Sequence, residues 1–392
     1  MSIDPATLTG TWSFPTEIRF GPGRIAELAG ACKSLGMAKP LLVTDPGLAA
    51  LPMVADAIAR NRAEGLPTGL FSDIKSNPVG ANVDAGLEAY RAGGHDGVIA
   101  MGGGSGLDAG KAIAFMAGQT KPMWDFEDRG DNWKAADPAG IAPVVAVPTT
   151  AGTGSEVGRA SVILDESDHT KKVIFHPGML PGIVISDPEL TLGLPAHITA
   201  ATGMDALAHC LEAYCAPSYH PMAEGIAVEG MRLVKEWLPK AVADGSDIEA
   251  RAHMLIAASM GATAFQKGLG AIHALSHPVS AFFDTHHGLT NAVVMPYVLD
   301  YNRAAIEDRL ARLAAWLGLP DPSFQAVMDW VMGLRAEFQI PHTLADLGVD
   351  AARLDEMSVM AAKDPTASGN PIPIGVAELK TMFTAAIEGR LS

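Results

Sequence analysis

Cysteine is nearly absent from this chain of 392 residues: only Cys32, Cys210 and Cys215 occur. An odd number without CxxC spacing argues against a disulfide framework and points to a reducing compartment, the cytoplasm. Cys210 and Cys215 read as small buried hydrophobes. Basic charge is also short, with 28 Lys and Arg against 44 Asp and Glu and a formal net charge of −16. A nucleic-acid binder needs a basic face to neutralise phosphates, so that class is set aside. No uncharged apolar run approaches the ~18–20 residues that a membrane span requires. The start, Met1-Ser2-Ile3-Asp4-Pro5, lacks the basic and apolar segments of a signal peptide.

What the chain has is hydrophobic mass: 48% apolar residues and only 18% charged, a composition suited to a well-packed enzyme. Its length exceeds what one core usually serves, so two domains are expected, 1–194 and 195–392. In the first half short apolar runs alternate with amphipathic segments. Lys39 to Asp45, Asp96 to Met101 and Ile141 to Pro148 read as strands; Val54 to Arg62 and Asn82 to Ala92 carry helical periodicity. That alternation predicts a parallel sheet covered by helices. Beyond Asp187-Pro188 and Leu194-Pro195 the strand signal fades. Ile198 to Ala213, Pro221 to Trp237, Asp247 to Phe265 and Arg303 to Leu317 read as helices, giving an all-helical second domain.

Two stretches of that second half carry the chemistry. Gly203-Met204-Asp205-Ala206-Leu207-Ala208-His209 places an acid and a histidine four apart, on one helix face. Gly270-Ala271-Ile272-His273-Ala274-Leu275-Ser276-His277-Pro278 is followed by Thr285-His286-His287-Gly288. Mixed carboxylate and imidazole donors suit zinc, ferrous iron or another borderline divalent metal, and not calcium. Spacing does not choose between His286 and His287. Pro278 is expected to end the helix that carries His277.

The first half offers polar turns after strands. Gly102-Gly103-Gly104-Ser105-Gly106-Leu107-Asp108 lies between a strand and a helix, where backbone N–H groups can approach a pyrophosphate. Neither GxGxxG followed by an acid nor a GK[ST] P-loop is present. Asp45 ends an earlier strand, placed either to accept from an adenosine ribose and repel a 2′-phosphate or simply to cap a helix ahead of Pro46. Thr149-Thr150-Ala151-Gly152-Thr153-Gly154-Ser155-Glu156 sets threonine hydroxyls among glycines, as a nucleotide surface or an ordinary turn.

Together and in this order these features resemble the iron-containing (group III) alcohol dehydrogenase family. The match runs from the hairpin-like Phe14 to Gly23, through Asn77-Pro78, the triple-glycine turn with Asp108 and Lys111, the Thr-Gly segment and Ser186-Asp187-Pro188-Glu189-Leu190, to the two metal stretches. The resemblance implies a dinucleotide-binding α/β domain joined to an all-α metal-binding domain, the dehydroquinate-synthase-like architecture, with chemistry in the interdomain cleft. It implies metal ligation, by Fe2+ or Zn2+, at Asp205, His209, His273 and His287, the histidine directly before the glycine. It implies NAD contacts from Asp45, Asn77, Gly104, Ser105, Thr149, Thr150, Thr153 and Lys171. His277 matches a histidine near the metal, either a catalytic proton relay or a structural hydrogen-bonding residue. The implied enzyme is an NAD-dependent dehydrogenase of a small alcohol or aldehyde, cytoplasmic and homodimeric.

Two departures stand out. Gly106 replaces a residue that is often proline in the family, which predicts a looser turn. Gln266 and Lys267 occupy a stretch lining the substrate side in relatives, so Lys267 is read either as facing an anionic substrate or as a solvated or ion-paired lysine. The rival readings are a dehydroquinate-synthase-like NAD and metal lyase and a non-catalytic metal-binding protein. The first needs several basic residues around a phosphate, and the metal segments carry few besides Lys267.

Overall fold

The structure is a computed structural model describing residues 12–391; the stretch Met1 to Pro5 read above for a signal peptide lies outside the described residues. The chain forms two compact units. One comprises Pro15–Leu194 with Ser246–Leu255; the other comprises residues 12–14, Pro195–Gly245 and 256–391.

The first unit holds strands β1 (Glu17–Phe20), β2 (Leu41–Val43), β3 (Gly69–Phe71), β4 (Val98–Gly102), β5 (Val144–Pro148), β6 (Ala160–Asp165), β7 (Thr170–Phe175) and β8 (Ile183–Ser186). Its helices are α1 (Leu28–Ser34), α2 (Pro46–Ala49), α3 (Pro52–Ala63), α4 (Gly80–Gly93) and α5 (Gly104–Met116). Six strands make one sheet in the order β1-β8-β5-β4-β2-β3, every neighbouring pair parallel. All residues of β2, β4, β5 and β8 are buried, as continuous apolar runs covered on both faces by helices should be. One core layer joins Leu42, Ile99, Val145 and Ile183 of the sheet to Leu28, Cys32, Val54 and Ile58 of α1 and α3.

One expectation fails here. Phe14 to Gly23 is no hairpin: β1 joins the sheet edge parallel to β8, in register from Glu17 with Ile183 to Phe20 with Ser186. Asp187 secures this edge, accepting from the Gly23 N–H (3.1 Å) and the Ile25 N–H (2.9 Å). The hairpin is instead β6–β7, antiparallel and separate from the main sheet.

The second unit is helical: α6 (Ala196–Cys215), α7 (Pro221–Ala243), α8 (Ile248–Ala264, whose first turns belong to the other unit), α9 (Ala271–Phe283), α10 (His287–Trp316), α11 (Phe324–Glu337), α12 (Leu354–Lys363) and α13 (Val376–Glu388). Pro221 opens α7 at its first position, where a missing N–H costs nothing. Pro278 does not end its helix, as the sequence suggested; α9 continues through it to Phe283, at the cost of one backbone hydrogen bond. Among the described residues no helix is long and apolar enough to cross a membrane.

Candidate functional site

α6 is buried along nearly its whole length, and its inward face carries Asp205, His209 and Glu212, all buried. α9 contributes His273 and His277, one turn apart, and α10 begins at His287. Small residues let these helices approach. A Cβ added at Gly288 would lie 2.5 Å from the Ala201 carbonyl oxygen and 3.0 Å from the Asp205 Cβ, so only glycine lets α10 start against α6 here. A Cβ at Gly261 of α8 would sit 3.0 Å from that of His209.

The ligand atoms of Asp205, His273 and His287 all lie within 4.8 Å of one another. From the Asp205 Oδ1, the His209, His273 and His287 Nε2 atoms stand at 3.9, 3.9 and 3.7 Å. His209 also stacks on His273, with ring centroids 4.7 Å apart. The Asn291 Nδ2, one turn into α10, donates to the Asp205 Oδ1 (2.7 Å) and lies 3.3 and 3.2 Å from the Nε2 of His273 and His287. Its own Oδ1 is buried without a hydrogen-bond partner. Metal–ligand bonds of ~2.1 Å set donors roughly 3.4 Å apart on a tetrahedron. The Asp205 carboxylate with the His273 and His287 imidazoles converging on it, and His209 at a like distance from its Oδ1, make a donor set that fits a divalent cation.

His286 is exposed and serves as the N-cap of α10, its Nδ1 accepting from the Leu289 N–H at 3.3 Å. The geometry thus separates the two adjacent histidines that spacing left open.

Two carboxylates missed by sequence reasoning flank these imidazoles. The Glu212 Oε2 is 2.5 Å from the His273 Nδ1, and the Asp364 Oδ2 is 2.6 Å from the His277 Nδ1. Burial pushes the His273 pKa down, but Glu212, Asp205 and Asp364 outweigh it and hold it above the ordinary histidine value. Burial likewise opposes ionisation of Asp364, yet His277 and the hydrogen bonds from Thr366 hold its carboxyl below the usual range. The one signal for Glu212 was its place on the Asp205 and His209 face, one turn beyond His209; Asp364, 87 positions from His277, carried none.

In the α/β unit, the carboxyl ends of β2, β4 and β5, neighbours in a parallel sheet, lead into Asp45, the glycine turn and the threonine segment, so all three share one rim. Asp45 caps α2, its Oδ1 accepting from the Leu48 N–H (2.9 Å). Gly102 ends β4 at φ 149°, which other residues rarely adopt, and its carbonyl accepts from the Thr149 N–H (3.0 Å). Gly104 and Ser105 open α5 with free-end N–H geometry suited to an anion. Thr150 and Thr153 close on this turn: a Cβ at Gly103 would meet the Thr150 Oγ1 at 3.1 Å, and one at Gly104 the Thr153 Oγ1 at 2.8 Å. The Ser105 Oγ donates to the Ser76 carbonyl, and the Lys171 Nζ of β7 donates to the Asn77 Oδ1 at 2.8 Å. Asp108 and Lys111 brace the segment behind: Asp108 accepts from the Ser155 Oγ (2.5 Å) and the Val162 N–H (3.0 Å), and the buried Lys111 donates to the Ser155 carbonyl (3.0 Å). Gly106 does not loosen the turn. It is buried, and a Cβ there would lie 3.0 Å from the Met101 carbonyl oxygen.

Lys267 is turned inward and ion-paired. Its side chain is fully buried, and its Nζ donates to the carbonyls of Ala213 (3.0 Å), Tyr214 (3.1 Å) and Ala216 (2.6 Å) at the end of α6, with Glu224 at 3.1 Å. Negative carbonyl ends of a helix attract a cation, and that interaction took the lysine inward. Gln266 bonds both the N–H and the carbonyl of Ser13.

Comparison with known proteins agrees in both halves. Residues 15–188 match the family model "Iron-containing alcohol dehydrogenase", and 199–387 match "Fe-containing alcohol dehydrogenase family, C-terminal". The chain is 40% identical over 381 residues to a 4-hydroxybutyrate dehydrogenase of Cupriavidus necator, covering 94% of this chain and 97% of that one. A crystal structure of 1,3-propanediol oxidoreductase superposes with a TM-score of 0.91 at 34% identity, covering 96% of this chain and all of the other. A sulfoacetaldehyde reductase from Bifidobacterium kashiwanohense in complex with NAD+ gives 0.87 at 29%, covering 97% and 100%. The chain belongs to the iron-containing alcohol dehydrogenase family: it is an oxidoreductase of the CH–OH group of small alcohols that works with NAD and a divalent metal ion.

Proposed function

We propose that Asp205, His209, His273 and His287 hold the metal ion, and that Asp45, Asn77, Gly104, Ser105, Thr149, Thr150, Thr153 and Lys171 bind NAD. The convergence of Asp205, His273 and His287 within 4.8 Å carries the first assignment; the shared rim of three parallel strand ends supports the second. When bound, the ion supplies Lewis acidity to the alcohol oxygen, and the nicotinamide supplies the hydride acceptor. The protein's own groups do the rest. Asp45 accepts from an adenosine ribose and repels a 2′-phosphate, while the N–H groups opening α5 hold the pyrophosphate. With the His277 Nδ1–H donated to Asp364, its Nε2 is the atom that takes up the alcohol proton.

Relatives acting on 4-hydroxybutyrate and sulfoacetaldehyde support a short substrate bearing an anionic terminus, although Lys267 is not the residue that selects it. A dehydroquinate-synthase-like lyase is disfavoured, because the basic residue nearest its needs is spent on the carbonyls of α6. We place the chain in the cytoplasm on its three buried free thiols. We also infer a homodimer, since β1 lies at the sheet edge with Ile18 and Phe20 exposed, a liability that a second copy would cover. The test is NADH formation by metal-loaded protein with 4-hydroxybutyrate, 1,3-propanediol and ethanol as alternative substrates. Turnover is expected, fastest with the hydroxy acid; no NADH from any alcohol would overturn the reading.

A further inference from the structure

Glu212 is seven residues beyond Asp205 and three beyond His209 on α6, yet it points past them to the start of α9. Its two oxygens do separate work. Oε1 accepts the Ile272 N–H at 2.7 Å, one of the first-turn donors that α9 cannot satisfy internally. Oε2 meets the ring of the very next residue, His273, at Nδ1. A single carboxylate thus grips both the backbone entering His273 and the far side of its imidazole. The opposite ring nitrogen, Nε2, is the one that faces Asp205 at 3.9 Å. Glu212 is only 7% exposed, so both oxygens work away from bulk water.

We propose that Glu212 is a positioning residue for the metal: it fixes His273 in the Nδ1–H tautomer and in the rotation that presents the Nε2 lone pair to the cation. A carboxylate can accept from both donors at once. A neutral amide cannot, because whichever way it turns it brings an NH2 against Ile272 N–H or against His273 Nδ1. The second choice also forces the ring proton onto Nε2, the coordinating atom. Partners of this kind contribute roughly 10–100-fold in metal affinity. The proposal rests on the metal reading above, and the experiment separates the two.

Metal-stripped protein is titrated with Co2+, following the visible d–d absorption and competing with a chelator of known affinity. Wild type, E212Q, E212D, H273A and E212Q/H273A are compared, with far-UV circular dichroism and NADH binding as checks on folding. E212Q is expected to bind Co2+ about 10–100-fold more weakly with a displaced d–d band, and E212D to fall between it and wild type. In the H273A background E212Q should cost nothing further, because Glu212 acts through His273. Should E212Q lose its fold, E212D decides: weakened Co2+ binding supports the proposal and wild-type affinity overturns it. Affinity of folded E212Q within about two-fold of wild type, or an equal loss with and without His273, also overturns it. A wild type that binds no Co2+ would overturn the metal reading itself, and this proposal with it.

Discussion

Replacing Lys267 by methionine separates a structural lysine from a substrate-selecting one. The change keeps the length and apolar stem and removes the ammonium, leaving the carbonyls of Ala213 and Ala216 without this buried donor, while the Tyr214 carbonyl keeps the Arg309 guanidinium at 2.6 Å. Glu224 is not stranded, because the Arg309 guanidinium still holds it at 2.9 Å. Hydrogen bonds from a charged group are worth about 1.5–3 kcal/mol, and an unsatisfied buried acceptor costs about 1–3 kcal/mol. Against this, the protein no longer dehydrates an ammonium, and burial already pushes the pKa of Lys267 below the ordinary lysine value despite Glu224. The net loss is about 2–4 kcal/mol. For a domain of about 150–250 residues each kcal/mol is roughly 2–4 °C, so Tm should fall by about 5–15 °C. Differential scanning calorimetry reads that shift. The same variant is assayed with neutral and carboxylated aldehydes of equal chain length, and the ratio of their kcat/KM values should not change. An unshifted Tm together with a collapsed preference for the carboxylated aldehyde would refute the buried-lysine argument.

Asp45→Gly should narrow the preference for NAD(H) over NADP(H) by removing a like charge from the 2′-phosphate position, and should cost about 1 kcal/mol or less as the α2 cap is lost; steady-state kinetics with both cofactors checks this, and equal use of both by wild type would contradict it. Gly288→Ala should lower metal content while leaving NADH binding intact, because the new Cβ would press on Ala201 and Asp205; metal analysis and NADH fluorescence read the two sides. In the β6–β7 hairpin, burial opposes ionisation of Asp165 and Asp168, but Lys172, with hydrogen bonds from Ser167 and Thr170, holds both carboxyls below the ordinary aspartate range. Depressed carboxyl pKa values stabilise the fold above the unfolded pKa and lose that contribution as pH falls through the folded one. Lys172→Met should therefore lower Tm at pH 7, with a cost of about 1 kcal/mol, and the gap to wild type should close below about pH 4 in melts across pH 3–7.

What the sequence made legible was local. Strands buried on both faces announce themselves as apolar runs, so Asp96 to Met101 and Ile141 to Pro148 could be placed on a parallel sheet, where β4 and β5 now stand. Four-residue spacing put Asp205 with His209, and the structure brings Asp205, His273 and His287 together. What escaped depends on distant partners. Phe14 to Gly23 has turn residues at both ends, and only pairing with β8, far along the chain, makes β1 a parallel edge strand. Pro278 breaks an isolated helix, but buried packing of α9 tolerates one lost bond. Lys267 could be read as facing an anionic substrate or as solvated or ion-paired; the carbonyl end of α6, with Glu224 beside it, holds it inside. Glu212 and Asp364 look like ordinary acids until the histidines they hold are seen beside them.

One titration tests the metal site most directly. Metal-stripped wild type and His209→Ala are each titrated with Fe2+ under anaerobic conditions while NADH formation from alcohol is followed. Wild-type activity should rise from near zero and level off at one ion per chain, and His209→Ala should stay inactive and hold no metal after desalting. Full activity in the stripped wild type, or stoichiometric iron retained by His209→Ala, would contradict the assignment of the metal to this histidine cluster.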